Sequence, residues 1–259
     1  MAGTAPNNDV LNWIRIARLV PQALLDGVAG IIRGGLRGET TIEALSLKND
    51  KLLDEGSLYI CRSPTVGTGV TGQILQFYDD TKPTLIVTNN NPPGGRNVFL
   101  DTIRLQLVAV GTAATSLQWC TTIDNISRYS SGGSGGAGTA ATGFLGGPYS
   151  PHSVIGASSS ALVYFGALVA IARSVQWRQL ESGLLRTAIP VASDQYIWTF
   201  GGHENMQDGV LVSGAAIAQR SIPHVGVEIA PGHSFLLYLW EPACTAAPTF
   251  EVHIAYHER

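Results

Sequence analysis

The feature that most constrains this chain is a period of two that sets in after Ser57 and returns along its length. Ile103, Leu105, Leu107 and Ala109 alternate with Arg104, Gln106 and Val108; Val225, Val227 and Ile229 alternate with Gly226, Glu228 and Ala230; Phe250, Val252, Ile254 and Tyr256 alternate with Glu251, His253, Ala255 and His257. Successive side chains of a strand point to opposite faces, so this pattern makes one dry face and one wet one. Further strand-like runs are LYIC at Leu58, QILQFY at Gln73, TLIVT at Thr84, SLQWCT at Ser116, ALVYF at Ala161, LLRTAIPV at Leu184, YIWTF at Tyr196 and SFLLYLW at Ser234. Turn-rich NNNPPGG, SSGGSGG and APG stretches punctuate them. The pattern predicts a mainly β chain with an antiparallel β-sandwich over residues 57–259. No βαβ rhythm is visible.

The N-terminal part reads differently. In VLNWIRIARLVPQALLD, after Asp9, Val10, Trp13, Ile14, Ala17, Val20 and Leu24 fall on one side of a helix, with Asn12, Arg15, Arg18, Gln22 and Asp26 opposite. Asn8 or Asp9 supplies an N-cap, and Pro21 kinks the helix or starts a second one. The glycines of VAGIIRGGLRG are expected to end helical order, so residues 1–56 form an N-terminal helical arm and linker. Something must cover the apolar stripe. Val10, Trp13, Ile14, Ala17 and Leu24 are therefore the candidate partner interface, with packing on the protein's own core as the alternative.

Between Ser130 and Ser160 the composition breaks, with nine glycines and eight serines in thirty-one residues. Such a segment is a poor core element, and a Gly/Ser-rich loop at about 130–160 is expected, either as a surface excursion or reaching a neighbouring subunit. Charged residues make up only 14% of the chain and hydrophobic ones 45%, whereas about a quarter of an average chain is charged, so much of the surface is expected to be covered by other chains. A net charge of -3 with three lysines lacks the footprint of a nucleic-acid binder. The start MAGTAPNND has no basic region of a cleaved signal, and the apolar run Ala161 to Ala172 is too short and too rich in small residues to span a bilayer. No membrane partner is expected.

Several motifs suggest chemistry that their context does not support. Gly67, Gly69 and Gly72 match the spacing of a dinucleotide-binding loop, but Pro64 lies just upstream and no helix can develop before Asp79 and Asp80. Ser134 stands in a GxSxG pattern inside low-complexity sequence, not on a strand-to-helix elbow. His253 and His257 are four apart on a strand, about 13 Å, too far to share one metal ion. The run GVEIAPGHSF, with His233, faintly resembles the second motif of the cupins, yet no HxH precedes it. Cys61, Cys120 and Cys244 form no CxxC pair and read as small buried hydrophobes. Aromatics near Tyr196, Trp198 and Phe200, or near Tyr238 and Trp240, are a sugar platform or, more simply, core. No catalytic residue, metal or cofactor is expected.

The segments NNNPPGGRNVFLDTIRLQLVAVG, LLRTAIPVASDQYIWTFGG and VEIAPGHSFLLYLWEPACTAAPTFEVHIAYHER resemble virion structural proteins of tailed bacteriophages, in which an Asn-Pro-Gly turn leads into a long strand. The likeness covers roughly residues 84–259 without the Gly/Ser loop. It implies a jelly-roll-like sandwich and no catalysis. It also implies a role as a capsid decoration, cement or minor capsid protein, located in the virion after assembly in the host cytoplasm. Its partners would be the major capsid protein or other virion proteins and further copies of itself, with a homotrimer favoured. A receptor- or carbohydrate-binding module of a tail or fibre is the second expectation, and a cupin-like metal enzyme the third.

Overall fold

A computed structural model describes residues 29–34, 40–45, 56–63, 67, 69–73, 75–112, 116–135, 159–186, 188–201, 210–211 and 219–259. The chain divides into two units, Met1–Glu55 and Gly56–Arg259. In the first, β1 (Ala29–Gly34) and β2 (Thr40–Leu45) pair antiparallel, Ala29 opposite Leu45. The helix expected after Asp9 lies outside the described residues. Within the glycine-bearing stretch expected to be linker, residues 29–34 are strand β1.

The second unit is mainly β, and no helix occurs among its described residues. Its strands are β3 (Leu58–Arg62), β4 (Val70–Thr71), β5 (Leu85–Asn89), β6 (Val98–Ala109), β7 (Leu117–Asp124), β8 (Tyr129–Gly135) and β9 (Ala161–Ala170). They continue with β10 (Arg178–Arg186), β11 (Gln195–Phe200), β12 (Val210–Leu211), β13 (Gln219–His224), β14 (Glu228–Ile229), β15 (Ser234–Trp240) and β16 (Thr249–Glu258). A six-stranded sheet has the order β10-β7-β15-β5-β9-β8. An eight-stranded sheet has the order β12-β13-β11-β6-β16-β3, with β14 also on β6 and β4 on β16. One pairing departs from the expected antiparallel pattern: β11 runs parallel to β13, Gln195 beside Gln219. Parallel neighbours need a crossover of about a dozen residues or more, which the stretch 201–218 supplies.

The two sheets share one core, and the period of two fills it. Ile103, Leu105 and Leu107 of β6 and Phe250, Val252, Ile254 and Tyr256 of β16 are buried against Leu85, Val87, Phe235 and Leu237 of the other sheet. Ring edges interlock across the gap: Trp119 meets Trp198 at 5.7 Å, Phe200 meets Phe235 at 5.7 Å and Phe165 meets Phe250 at 6.3 Å. Each such ring removes more apolar surface from water than any aliphatic side chain and stabilises the stack of sheets by about 1.5–3 kcal/mol. Buried His224 joins the sheets by hydrogen bonds. Its Nδ1 lies 2.9 Å from the Val225 carbonyl, to which it donates, and its Nε2 lies 2.7 Å from the Thr121 hydroxyl of the facing sheet.

The outer face of the six-stranded sheet is covered as well. At Gly166, with φ +116°, strand β9 changes the face it presents: Ala161, Val163 and Phe165 point into the main core, whereas Leu168 and Ala170 join a second cluster with Ile86, Cys120, Leu236 and Tyr238. A Cβ at Gly166 would come within 2.9 Å of the Thr71 carbonyl, so a side chain has neither the space nor the backbone angle there.

Several expected strands fall elsewhere. QILQFY is not a strand in its described part: the Gln73 amide donates to the Pro83 and Leu168 carbonyls, and Leu75 is buried, so the stretch lies as a strap on the sheet. LLRTAIPV overlaps only the end of β10, which begins earlier in the polar sequence RQLES and stops at Arg186, where Asp194 pairs with Arg186 and accepts the Val191 amide at 2.8 Å. Of the 225–229 alternation only Glu228 and Ile229 are strand, and the neighbouring strand is β13, despite its Pro223. The first part of the Gly/Ser segment is edge strand β8, with Ser130 to Gly133 exposed.

Candidate functional site

The expected interface residues Val10, Trp13, Ile14, Ala17 and Leu24 lie outside the described residues. Most other candidates have plain structural roles. Tyr196 and Trp198 are wholly buried and Phe200 nearly so, which makes them core and not a sugar platform. Gly69 lies flat against β16, where a Cβ would meet the Phe250 backbone at 2.9 Å, and Gly67 turns the chain at φ +76°. Gly69 is there for close packing and Gly67 for its backbone angle, and a strand rather than a helix follows. Ser134 lies in β8 beside a register shift. The three cysteines are free and buried.

The histidines are separated by their partners. His257 stacks on Phe99 with ring centroids 5.0 Å apart, and its Nδ1 lies 2.9 Å from Asp101. His253 projects from the outer face of the eight-stranded sheet, since its neighbours Val252 and Ile254 point into the core. It stands opposite Arg62 of β3 on one side and Arg104 of β6 on the other. Burial, then Arg104, then Arg62 push its pKa below the ordinary histidine value. The next positions on this face are Gln106 opposite Glu251 on one side and Thr102 opposite Ala255 on the other.

On the other sheet, Arg128 is fully buried and closes the cover over the outer face. Its Nε donates to the Ile171 carbonyl at 2.7 Å, Nη1 to Asp124 at 3.1 Å, and Nη2 to both the carbonyl and the carboxylate of Asp80 at 3.0 Å. Burial alone raises the Asp124 pKa, but the Ser174 hydroxyl and amide and the Arg128 guanidinium outweigh it and hold the carboxyl below its usual range. Beside this clamp sits a group of half-buried aromatics. Tyr129 and Tyr164 stack with ring centroids 3.6 Å apart, and Tyr78 packs against Tyr238 and Trp240.

A third feature lies where β15 ends. Glu241 lines a small pocket with Gln73, Thr84, Trp240 and Pro248. The residue is 2% exposed, and among the described residues no well-formed hydrogen bond reaches either carboxylate oxygen; the Cys244 thiol is the donor that acts on it. That thiol is shared with the Ala246 carbonyl at 2.9 Å, so its attraction for the carboxylate only partly offsets the effect of burial, which raises Glu241 to about 6. Gly111 makes room for the carboxylate, since a Cβ there would lie 2.6 Å from Oε2.

Among the described residues no three His, Cys, Asp or Glu side chains converge in a way that could hold a metal ion. Large apolar side chains stand in water instead: Phe77 is 70% exposed, Ile189 61%, and Val175 completely. Comparison with protein families, with characterised proteins and with solved structures finds no match to this chain.

Proposed function

We propose that this protein is a non-enzymatic structural component of a phage particle, a capsid decoration, cement or minor capsid protein that stabilises the shell through contacts with the major capsid protein and with its own copies. The observation that carries this reading is Phe77, Val175 and Ile189 held out in water from a two-sheet body whose own core is closed. Isolated apolar residues are ordinary on a surface, but several large ones on a chain with 14% charged residues suit permanent burial between subunits.

Strand order supports the finer fold assignment, a jelly roll. Strands β5, β6 and β7 alternate between the two sheets, as do β14, β15 and β16, and β10, β7, β15 and β5 lie side by side in one sheet. The expected arm stripe of Val10, Trp13, Ile14, Ala17 and Leu24 is the natural attachment element. The second reading, a receptor- or carbohydrate-binding module, is favoured by the half-buried Tyr78 and Trp240 beside Glu241.

Sedimentation of the full chain at micromolar concentration, alone and with isolated heads, tests the proposal. A homotrimer that cosediments with heads is expected, and the Trp13→Asp, Ile14→Asp variant should lose head binding with an unchanged melt. A monomer of 27.4 kDa that ignores heads but binds glycans would overturn it in favour of the second reading.

A further inference from the structure

Cationic side chains are normally dispersed or paired on a sheet, because like charges directly opposite one another on adjacent strands repel. On the outer face of the eight-stranded sheet they are aligned. Arg62, His253 and Arg104 occupy consecutive cross-strand positions on β3, β16 and β6. Adjacent strands are about 4.8 Å apart, so the three side chains span about 10 Å. Both arginines are exposed, and neither has an ion-pair partner among the described residues. Of the other charged groups facing His253, Glu251 lies two residues away on its own strand, and Asp101 is engaged by His257.

We propose that this row is a docking surface for an acidic segment of a partner protein, whose carboxylates lie across β3, β16 and β6 between the two arginines. The inference goes beyond the particle reading and does not depend on it. Each guanidinium offers a planar fork of donors that matches a carboxylate bidentately, and no described residue occupies either fork. A carboxylate laid between them removes the repulsion between the two arginines and gives a protonated His253 a counter-charge. Glu251, one position along the same face, decides between classes of anion. A uniform polyanion such as nucleic acid would run into it, whereas a protein segment can set an acid over the arginines and a donor over Glu251. The low lysine content and the net charge of -3 point the same way.

The pH behaviour follows from the same geometry. In the free protein, burial and the flanking arginines keep His253 neutral at pH 7; a bound carboxylate favours the imidazolium, so binding takes up a proton and tightens as pH falls. The test uses the full-length chain, with hexaglutamate as one probe and single-stranded dodecathymidylate as the other. Proton NMR follows the His253 ring through a pH titration, and calorimetry at low and high salt follows binding. Hexaglutamate should bind, raise the His253 pKa and lose affinity in high salt. The Arg62→Gln, Arg104→Gln double variant should bind it about tenfold or more weakly with an unchanged or higher melting temperature. The proposal fails if millimolar hexaglutamate leaves the His253 titration unmoved. It fails equally if the double variant binds like the parent, or if the oligonucleotide binds the row as well as the peptide does.

Discussion

Replacing Glu241 with glutamine should stabilise the protein, and only above mildly acidic pH. The carboxyl is buried at the end of β15, where the weak donor Cys244 offsets only part of the cost of burial, and its pKa rises from 4.5 to about 6. A carboxyl whose pKa is higher in the folded state binds its proton more tightly there than in the unfolded chain. Below pH 4.5 both states are protonated and the site is neutral toward stability. Between 4.5 and 6 the unfolded chain releases the proton first, so stability falls with rising pH, and above 6 the full penalty persists. A shift of this size corresponds to roughly 2 kcal/mol at about 1.4 kcal/mol per pKa unit. Glutamine keeps the shape and carries no charge. Urea unfolding of the two proteins at pH 4 and pH 8 provides the assay: the midpoints should coincide at pH 4, and the variant should exceed the parent by roughly 1–2 kcal/mol at pH 8. A variant less stable at pH 8 would refute the reasoning, because it would mean that the carboxylate's partners outweigh the cost of burying it.

Arg128→Leu should destabilise by about 3–5 kcal/mol, since it leaves the Asp124 carboxylate buried without its cation; adding Asp124→Asn should recover part of the loss in thermal melts. The thiols should be inert in the native protein, because burial pushes Cys61 up to about 12, Cys120 up to about 11 and Cys244 above its ordinary value. Alkylation at pH 8 should modify none of the three until denaturant is added, as mass spectrometry would show.

How much was legible depends on where each strand stands relative to the core. Residues 103–107 and 250–256 could be read from sequence because one face of β6 and β16 is dry and the other wet. Among the described strands β10 pairs only with β7 at the sheet's edge, and its residues 178–184 are partly or fully exposed, so RQLES carries no alternation to find. Strand β8 was hidden by glycine and serine: its pairing comes from backbone bonds to β9, which composition does not report. Gln73 to Tyr78 misled for the opposite reason, because an apolar strap covering a sheet looks like a strand within it. The Arg62, His253 and Arg104 row was invisible for a different cause. Each residue is an ordinary wet-face position, and only the register of three strands from distant parts of the chain aligns them. Glu241 gave no sign at all, since nothing in WEPAC says that its carboxylate turns inward.

Strand β16 lies between β6 and β3 in the eight-stranded sheet, pairing Leu58 with His257 and Ile103 with Ile254. The first and last described strands of the sandwich are therefore neighbours, and the sheet cannot close until residues 249–258 have been made. Contacts so distant along the chain make folding slow, and until then β3 and β6 each present an open edge to other chains. A polypeptide broken off before residue 249 should thus be an aggregating species rather than a smaller working subunit, so a check that synthesis has passed residue 258 is built into the topology itself.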